Sequence, residues 1–464
     1  MEFSEKHVMI FAIHRTSDWW RFVGSNLGCS KATVVTDLRD EGDVRIVDDF
    51  YSYYNSYKNG KSGFSLLSEE QIVDIIARCR VLRWLDVSLA RNLIKAMAMA
   101  LNKALDELKP DFIVSLPIDR YPTDILDRLA DARGLSYVQL TASVLPGMSM
   151  LLKRGKMLKR GDIPAKEEIE EKLQQLLEPT FVPSYVPDKI VFNQWRFIKT
   201  LSYFRLRGLV FKALGFLKRD PLNLHYLDAQ PTLGHKCSWK DIRISKLVRH
   251  DWEEESQKYE KNKRVMFGLQ LFPEASIDYW IQPIELIDYE DLIVKAAQQF
   301  SDEGFVVLVK DHPLQFGFRK TELVDRLLDI PNVVIVPYDV PGQVLLDMVD
   351  VNFTFTGTLG LQASLLGKSS FVTDSYYTTE EDFYLFGSAK DIESEISAFV
   401  KNKRVELTDK QLTERKERLA EQVIQGSFPG DLFSFQGFDA KEPAQSAAIL
   451  GKSLGQMIKR LGCH

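Results

Sequence analysis

Cysteine is scarce in this chain: Cys29, Cys79, Cys237 and Cys463 are scattered through 464 residues with no Cys-x-x-Cys pair. That spacing signals neither a zinc site nor a disulfide framework, and it fits a reducing compartment. No apolar run reaches about 18 residues, the length of a membrane-spanning helix. An overall excess of positive charge is lacking too: the formal net charge is -5 and the pI about 5.9, which argues against a general nucleic-acid binder. The opening residues, Met1 to Lys6, carry acids where a signal peptide needs a basic stretch, so the expected location is cytoplasmic. Internal repeats are absent.

What is present is strand and helix in alternation. Val8 to Ile13, Phe112 to Leu116 and Tyr137 to Leu140 read as strands, with a helical pattern from Glu69 to Leu108 closed by Pro110. Tyr121 to Arg133 reads as a helix ended by Gly134. Alternation lapses over residues 151–262, which hold charged helices and the proline-punctuated Pro179 to Pro187. It resumes with strands Val265 to Leu269, Phe305 to Val309, Val333 to Val336, Val351 to Phe355 and Ser370 to Thr373. The length exceeds one core, and the pattern predicts α/β architecture with two Rossmann-like domains facing a cleft, the GT-B arrangement. The expected divisions are 1–150, a helical inter-domain insertion over 151–262, 263–425, and a tail over 426–464 bearing a C-terminal helix from Ala444.

Open α/β sheets bind ligands outside the carboxyl ends of their strands, so the residues at those ends are the candidates. Lys310-Asp311-His312-Pro313 ends one buried strand: proline fixes the turn, His312 can donate to a phosphate oxygen, and Lys310 supplies charge. A capped surface turn would look the same. Thr356-Gly357-Thr358-Leu359-Gly360 ends another and opens a helix whose first amides can meet a phosphate; a threonine-capped turn needs no ligand. Together the two loops suit an anionic substrate, with a nucleotide sugar as the natural candidate. Glu274 and Asp278, four apart after the strand ending at Leu269, are candidate acid, base or nucleophile, although exposed carboxylates are usually only solvated.

In the first half, His14 and Arg15 follow the opening strand and Asp119 and Arg120 follow the strand ending at Leu116, so they are candidate acceptor or sugar contacts, with Trp19 and Trp20 as stacking rings. An aromatic core with surface arginines fits equally well. Residues 205–219 mix apolar side chains with clustered cations, as does a helix at an anionic membrane surface, with Lys153-Arg154 and Lys159-Arg160 as further contributors. A helix packed on its own domain has the same composition.

The order Pro273-Glu274-Ala275-Ser276, Val309-Lys310-Asp311-His312-Pro313, Asn332-Val333-Val334 and Thr356-Gly357-Thr358-Leu359-Gly360, closed by Gly367-Lys368, resembles the bacterial capsule polysaccharide biosynthesis family, which includes retaining β-Kdo transferases of GT-B fold using CMP-Kdo. The resemblance covers roughly residues 263–390. It implies a glycosyltransferase acting on a bacterial surface polysaccharide (capsule, O-antigen or lipid-linked glycan); with the basic stretch at 205–219, the expected place for it is the cytoplasm or the inner face of the cytoplasmic membrane. It implies that His312, Thr356, Gly357, Thr358 and Gly360 bind the donor nucleotide, whose phosphate the charge of Lys310 can also meet, and that Asp278, or Glu274, attacks or stabilises the anomeric centre. Gln362 stands where many relatives carry Glu, at an expected ribose contact. A single donor phosphate needs no bound metal, and no Asp-x-Asp motif is evident, so no cofactor is expected. Two alternatives remain open: an enzyme using another nucleotide donor (CDP-glycerol or a UDP-sugar transferase, or a UDP-sugar epimerase), and a non-catalytic polysaccharide assembly or export factor.

Overall fold

Two blocks of strand sequence close into two sheets in the computed structural model, which describes all residues except 1–2, 61–62, 159–165, 179–180, 182–191, 218–236, 273, 374–381, 403–406, 429–440 and 462–464. One unit comprises Met1–Lys172 and Ala420–His464, the other Leu173–Leu419. Each is described by itself.

In the first unit, β1 (His7–Ala12), β2 (Lys31–Thr36), β3 (Val44–Arg45), β4 (Phe112–Ser115) and β5 (Ser136–Ala142) are parallel in the order β3-β2-β1-β4-β5. Buried on both faces, β1 is apolar from Val8 through Ala12, as a central parallel strand must be. The sheet then turns antiparallel through β6 (Met148–Lys153) with its short partner β7 (Lys156–Met157). The single helix expected over residues 69–108 is two. Cys79 adopts an extended backbone after Glu69–Arg78, and the Asp86 carboxylate accepts the amides of Ser88 and Leu89 to start Val87–Leu108 afresh.

The chain's end joins the first unit. Its last strand, β14 (Val423–Gln425), pairs antiparallel with β6 and covers an edge that would otherwise expose unpaired amides. The helix Lys441–Leu461 then packs on Ser17–Ser25. Gly451 lets the two backbones approach closely, because a Cβ there would sit 2.6 Å from the Val23 carbonyl oxygen. Nor is 151–262 one body: β6 and β7 complete the first sheet, whereas the helices Gln194–Leu217 and Trp252–Gln257 lie in the second unit.

The second unit holds β8 (Arg264–Gly268), β9 (Val306–Lys310), β10 (Val333–Ile335), β11 (Val351–Phe353), β12 (Ser369–Val372) and β13 (Tyr384–Leu385), all parallel in the order β10-β9-β8-β11-β12-β13. This is the doubly wound order, with the winding direction reversing between β8 and β11. Beneath the reversal lies an aromatic core, with Phe267 stacked on Phe353 at 4.6 Å and Phe353 on Phe386 at 4.9 Å. Among the described residues no helix is long and apolar enough to cross a membrane.

A buried charge cluster braces the first unit. The Arg154 guanidinium pairs with Asp124 and Asp127, both wholly buried, and Arg128 bonds Asp124 at 3.0 Å. Removing one member of such a cluster leaves uncompensated charge, at a cost of about 3–5 kcal/mol. Arg154→Leu is therefore expected to speed hydrogen exchange of the β4 and β5 amides by roughly hundredfold or more. Unchanged exchange would show that the cluster does not brace the sheet.

Candidate functional site

The carboxyl ends of β8, β9, β10 and β11 lie side by side, so the loops after them share one edge of the second sheet. The loop after β8 supplies Gln270. Its side chain bonds Thr356, in the loop after β11, twice: Nε2–H donates to Oγ1 at 2.6 Å and Oε1 accepts the backbone amide at 3.0 Å. The two loops are thereby tied across the winding reversal. The Gln270 carbonyl in turn accepts from Arg319 Nη2 at 2.8 Å, and Arg319, 1% exposed, grips Asp311 after β9 through Nη2 at 2.8 Å and Nε at 3.2 Å.

Asp311 is the hub. Its carboxylate also accepts the Tyr338 hydroxyl at 2.7 Å and the His312 amide at 2.8 Å, so the loops after β9 and β10 are fixed together. Lys310 does not extend toward a ligand as the sequence suggested. Its buried ammonium donates to the carbonyls of Asp311 and Tyr338 at 3.0 and 2.9 Å, and burial pushes its pKa down to about 8.

His312 is held differently. Its Nδ1 accepts the Leu314 amide at 3.2 Å, which places the ring proton on Nε2, and burial lowers its pKa to about 4. Near neutral pH the imidazole is therefore an uncharged donor, and Nε2 has no hydrogen-bond partner among the described residues.

Thr356 is buried, and Gly357 caps the helix Thr358–Leu365 with no side-chain cap of its own. The amides of Thr358 and Leu359 fall in the first turn, ahead of the intrahelical ladder. Both glycines are demanded by packing. A Cβ on Gly357 would lie 2.8 Å from Thr354 Oγ1, and one on Gly360 would lie 2.8 Å from Val372 Cγ1. Gln362 is buried and donates to the Leu176 carbonyl at 2.8 Å, so its amide serves the fold at the position where a ribose contact was expected.

Pro273 lies outside the described residues. Glu274 precedes the short helix Ala275–Asp278 and accepts the Ser276 hydroxyl at 2.8 Å. Asp278 is fully buried, so of the two candidate carboxylates Glu274 is the one that reaches the surface. Among the described residues no three His, Cys, Asp or Glu side chains are grouped to hold a metal ion.

In the first unit the four candidate residues do sit at carboxyl ends of β1 and β4, but the charges of Arg15, Asp119 and Arg120 are engaged. Arg15 pairs with Asp40 and Glu41 at 3.0 Å each, Asp119 with Arg80, and the buried Arg120 with Asp37 at 3.0 Å. His14 adopts a left-handed backbone at φ 54°. Trp19 and Trp20 are core residues, packed edge to face at 4.7 Å and essentially unexposed, and so cannot stack on a sugar.

Sequence reasoning missed Gln270, Arg319 and Tyr338. Gln270 carries the one legible signal, a polar residue directly after a buried strand; Arg319 and Tyr338 belong to no motif. Acid should probe His312. Its folded pKa lies below the ordinary 6.5, so the unfolded chain takes the proton first. Stability owed to the neutral ring is complete above pH 6.5 and is lost as pH falls toward 4. Urea unfolding between pH 7 and 4.5 should show a steeper acid loss for the wild type than for His312→Gln, by about one proton. Identical slopes would contradict the burial of the ring.

Residues 223–376, roughly a third of the chain, match the family described as capsule polysaccharide biosynthesis protein. No curated protein matches the chain. Among solved structures, the β-Kdo 2,4 transferase KpsC of Thermosulfurimonas dismutans aligns at 14% identity over 68% of this chain and 79% of its own, with a TM-score of 0.37. The UDP-GlcNAc 2-epimerase of Neisseria meningitidis aligns at 12% over 98% of each chain (TM-score 0.23), and the calicheamicin glycosyltransferase CalG4 at 11% over 99% of each (TM-score 0.27). Likenesses this distant do not bear on function. The family match spans Glu274, the His312 loop and the Thr356–Gly360 turn together: in its second unit this chain resembles the capsule polysaccharide biosynthesis family.

Proposed function

We propose that the chain is a glycosyltransferase of capsule polysaccharide biosynthesis, transferring Kdo or a related ulosonic acid from a CMP-activated donor to a growing surface glycan. The observation that carries this reading is the hydrogen-bonded path Thr356–Gln270–Arg319–Asp311–His312, which ties both candidate loops into one edge at the winding reversal. The family match over the same residues supports it.

In this reading the donor phosphate lies between the His312 Nε2–H and the first-turn amides of the helix Thr358–Leu365. A neutral imidazole donates to the phosphate without having to lose a proton as the leaving group forms, and the helix dipole favours the developing negative charge. Lys310 and Arg319 act through the loops they hold. Glu274, the partly exposed carboxylate, takes the role at the anomeric centre, as nucleophile in a retaining reaction.

CMP should raise the melting temperature of the protein by mass action. His312→Gln should weaken CMP binding roughly tenfold or more, as expected for losing one hydrogen bond to a charged group. Glu274→Gln should leave CMP affinity within about twofold while lowering transfer from CMP-Kdo by at least ~10²-fold. Stabilisation by UDP with none by CMP would assign the edge to another nucleotide donor, and full turnover in Glu274→Gln would remove that residue from the chemistry.

A further inference from the structure

The helix Gln194–Leu217 carries Arg196, Lys199, Arg205, Arg207 and Lys212 and no acidic residue, in a chain whose net charge is -5. At about 100° per residue, Phe197, Leu201, Gly208 and Gly215 share one face, and all four are buried. The opposite face is also apolar, but exposed: Trp195 is 78% exposed, Leu209 64%, Phe216 85% and Leu217 74%, with Leu206 and Val210 between them. A helix that only packs on its own domain has one apolar face; this one has two.

The cations are ordered as well. Arg205 and Lys212 border the exposed apolar arc on one side, and Arg196 and Arg207 on the other. Lys199 lies within the arc between Trp195 and Tyr203, where a long side chain can bury its stem and keep its ammonium in water. We propose that this exposed face lies in the plane of an anionic lipid bilayer, its apolar side chains among the acyl chain ends and its flanking cations on the lipid phosphates.

Charge decides against a second copy of the chain as the occupant. A symmetric contact places like surfaces together, so a helix with five cations and no acid would meet its own cations. Anionic headgroups complement the same border, and an aromatic such as Trp195 suits the level of the headgroups. The helix is too polar to span a bilayer, which leaves the in-plane arrangement. The remaining sequence candidates do not add to the face. Arg154 is spent on Asp124 and Asp127, Lys153 pairs with Asp131 at 2.6 Å, and Lys159, Arg160, Lys218 and Arg219 lie outside the described residues.

The test is flotation of the full chain with phosphatidylcholine vesicles with and without phosphatidylglycerol. The protein should float with the anionic vesicles only, and less at high salt. Leu209→Glu with Phe216→Glu should abolish flotation, and Lys199→Ala with Lys212→Ala should weaken it by roughly fivefold for each cation removed. All four side chains are exposed, so the melting temperature should not move. Absence of flotation with anionic vesicles, or flotation indifferent to the two glutamates, would overturn the proposal. So would a dimer, seen by light scattering, that the same glutamates dissolve.

Discussion

The Asp311 carboxylate fixes the edge of the second sheet on which the candidate site is built. It accepts two bonds from a wholly buried Arg319, one from the Tyr338 hydroxyl and one from the His312 amide, and thereby joins the loops after β9 and β10. Arg319 extends the same network to the loop after β8, and Gln270 carries it on to the loop after β11. A buried ion pair is poor evidence of stability by itself, because desolvation offsets its Coulomb energy. Its consequence here is geometric. Four loops are held so that one uncharged imidazole donor and one helix N-terminus share an edge, an arrangement of preorganised donors suited to an anionic group.

The network changes the roles of residue types that suggest direct chemistry. Lys310, a natural phosphate ligand by composition, spends its ammonium on two backbone carbonyls. Gly357 and Gly360, which look like concessions to an approaching phosphate, are required because Thr354 and Val372 leave no room for a Cβ. Cations at this edge secure the loops.

The parallel sheets were legible because buried strands read as continuous apolar runs, and the His312 and Thr356 loops stood out as abrupt polar endings to such runs. The return of the chain's end to the first unit was not legible: β14 is three residues long and its pairing with β6 spans more than half the sequence. Gln270, Arg319 and Tyr338 were missed because a hub is defined by convergence in space, and each of its members is a single polar residue in its own segment. Asp278 and Glu274 read alike in sequence as polar residues after a strand, and burial of Asp278 separates them. Trp19 and Trp20 show the same limit, since two adjacent tryptophans after a strand read alike whether they line a cleft or fill a core.

The central claim, that the edge organised by Asp311 holds the donor nucleotide, is tested most directly by a crystal structure of the protein soaked with CMP. The account predicts phosphate density within hydrogen-bonding reach of His312 Nε2 and of the Thr358 and Leu359 amides, with the Asp311–Arg319 pair undisturbed. Density for CMP elsewhere, with these groups still solvated, would contradict it.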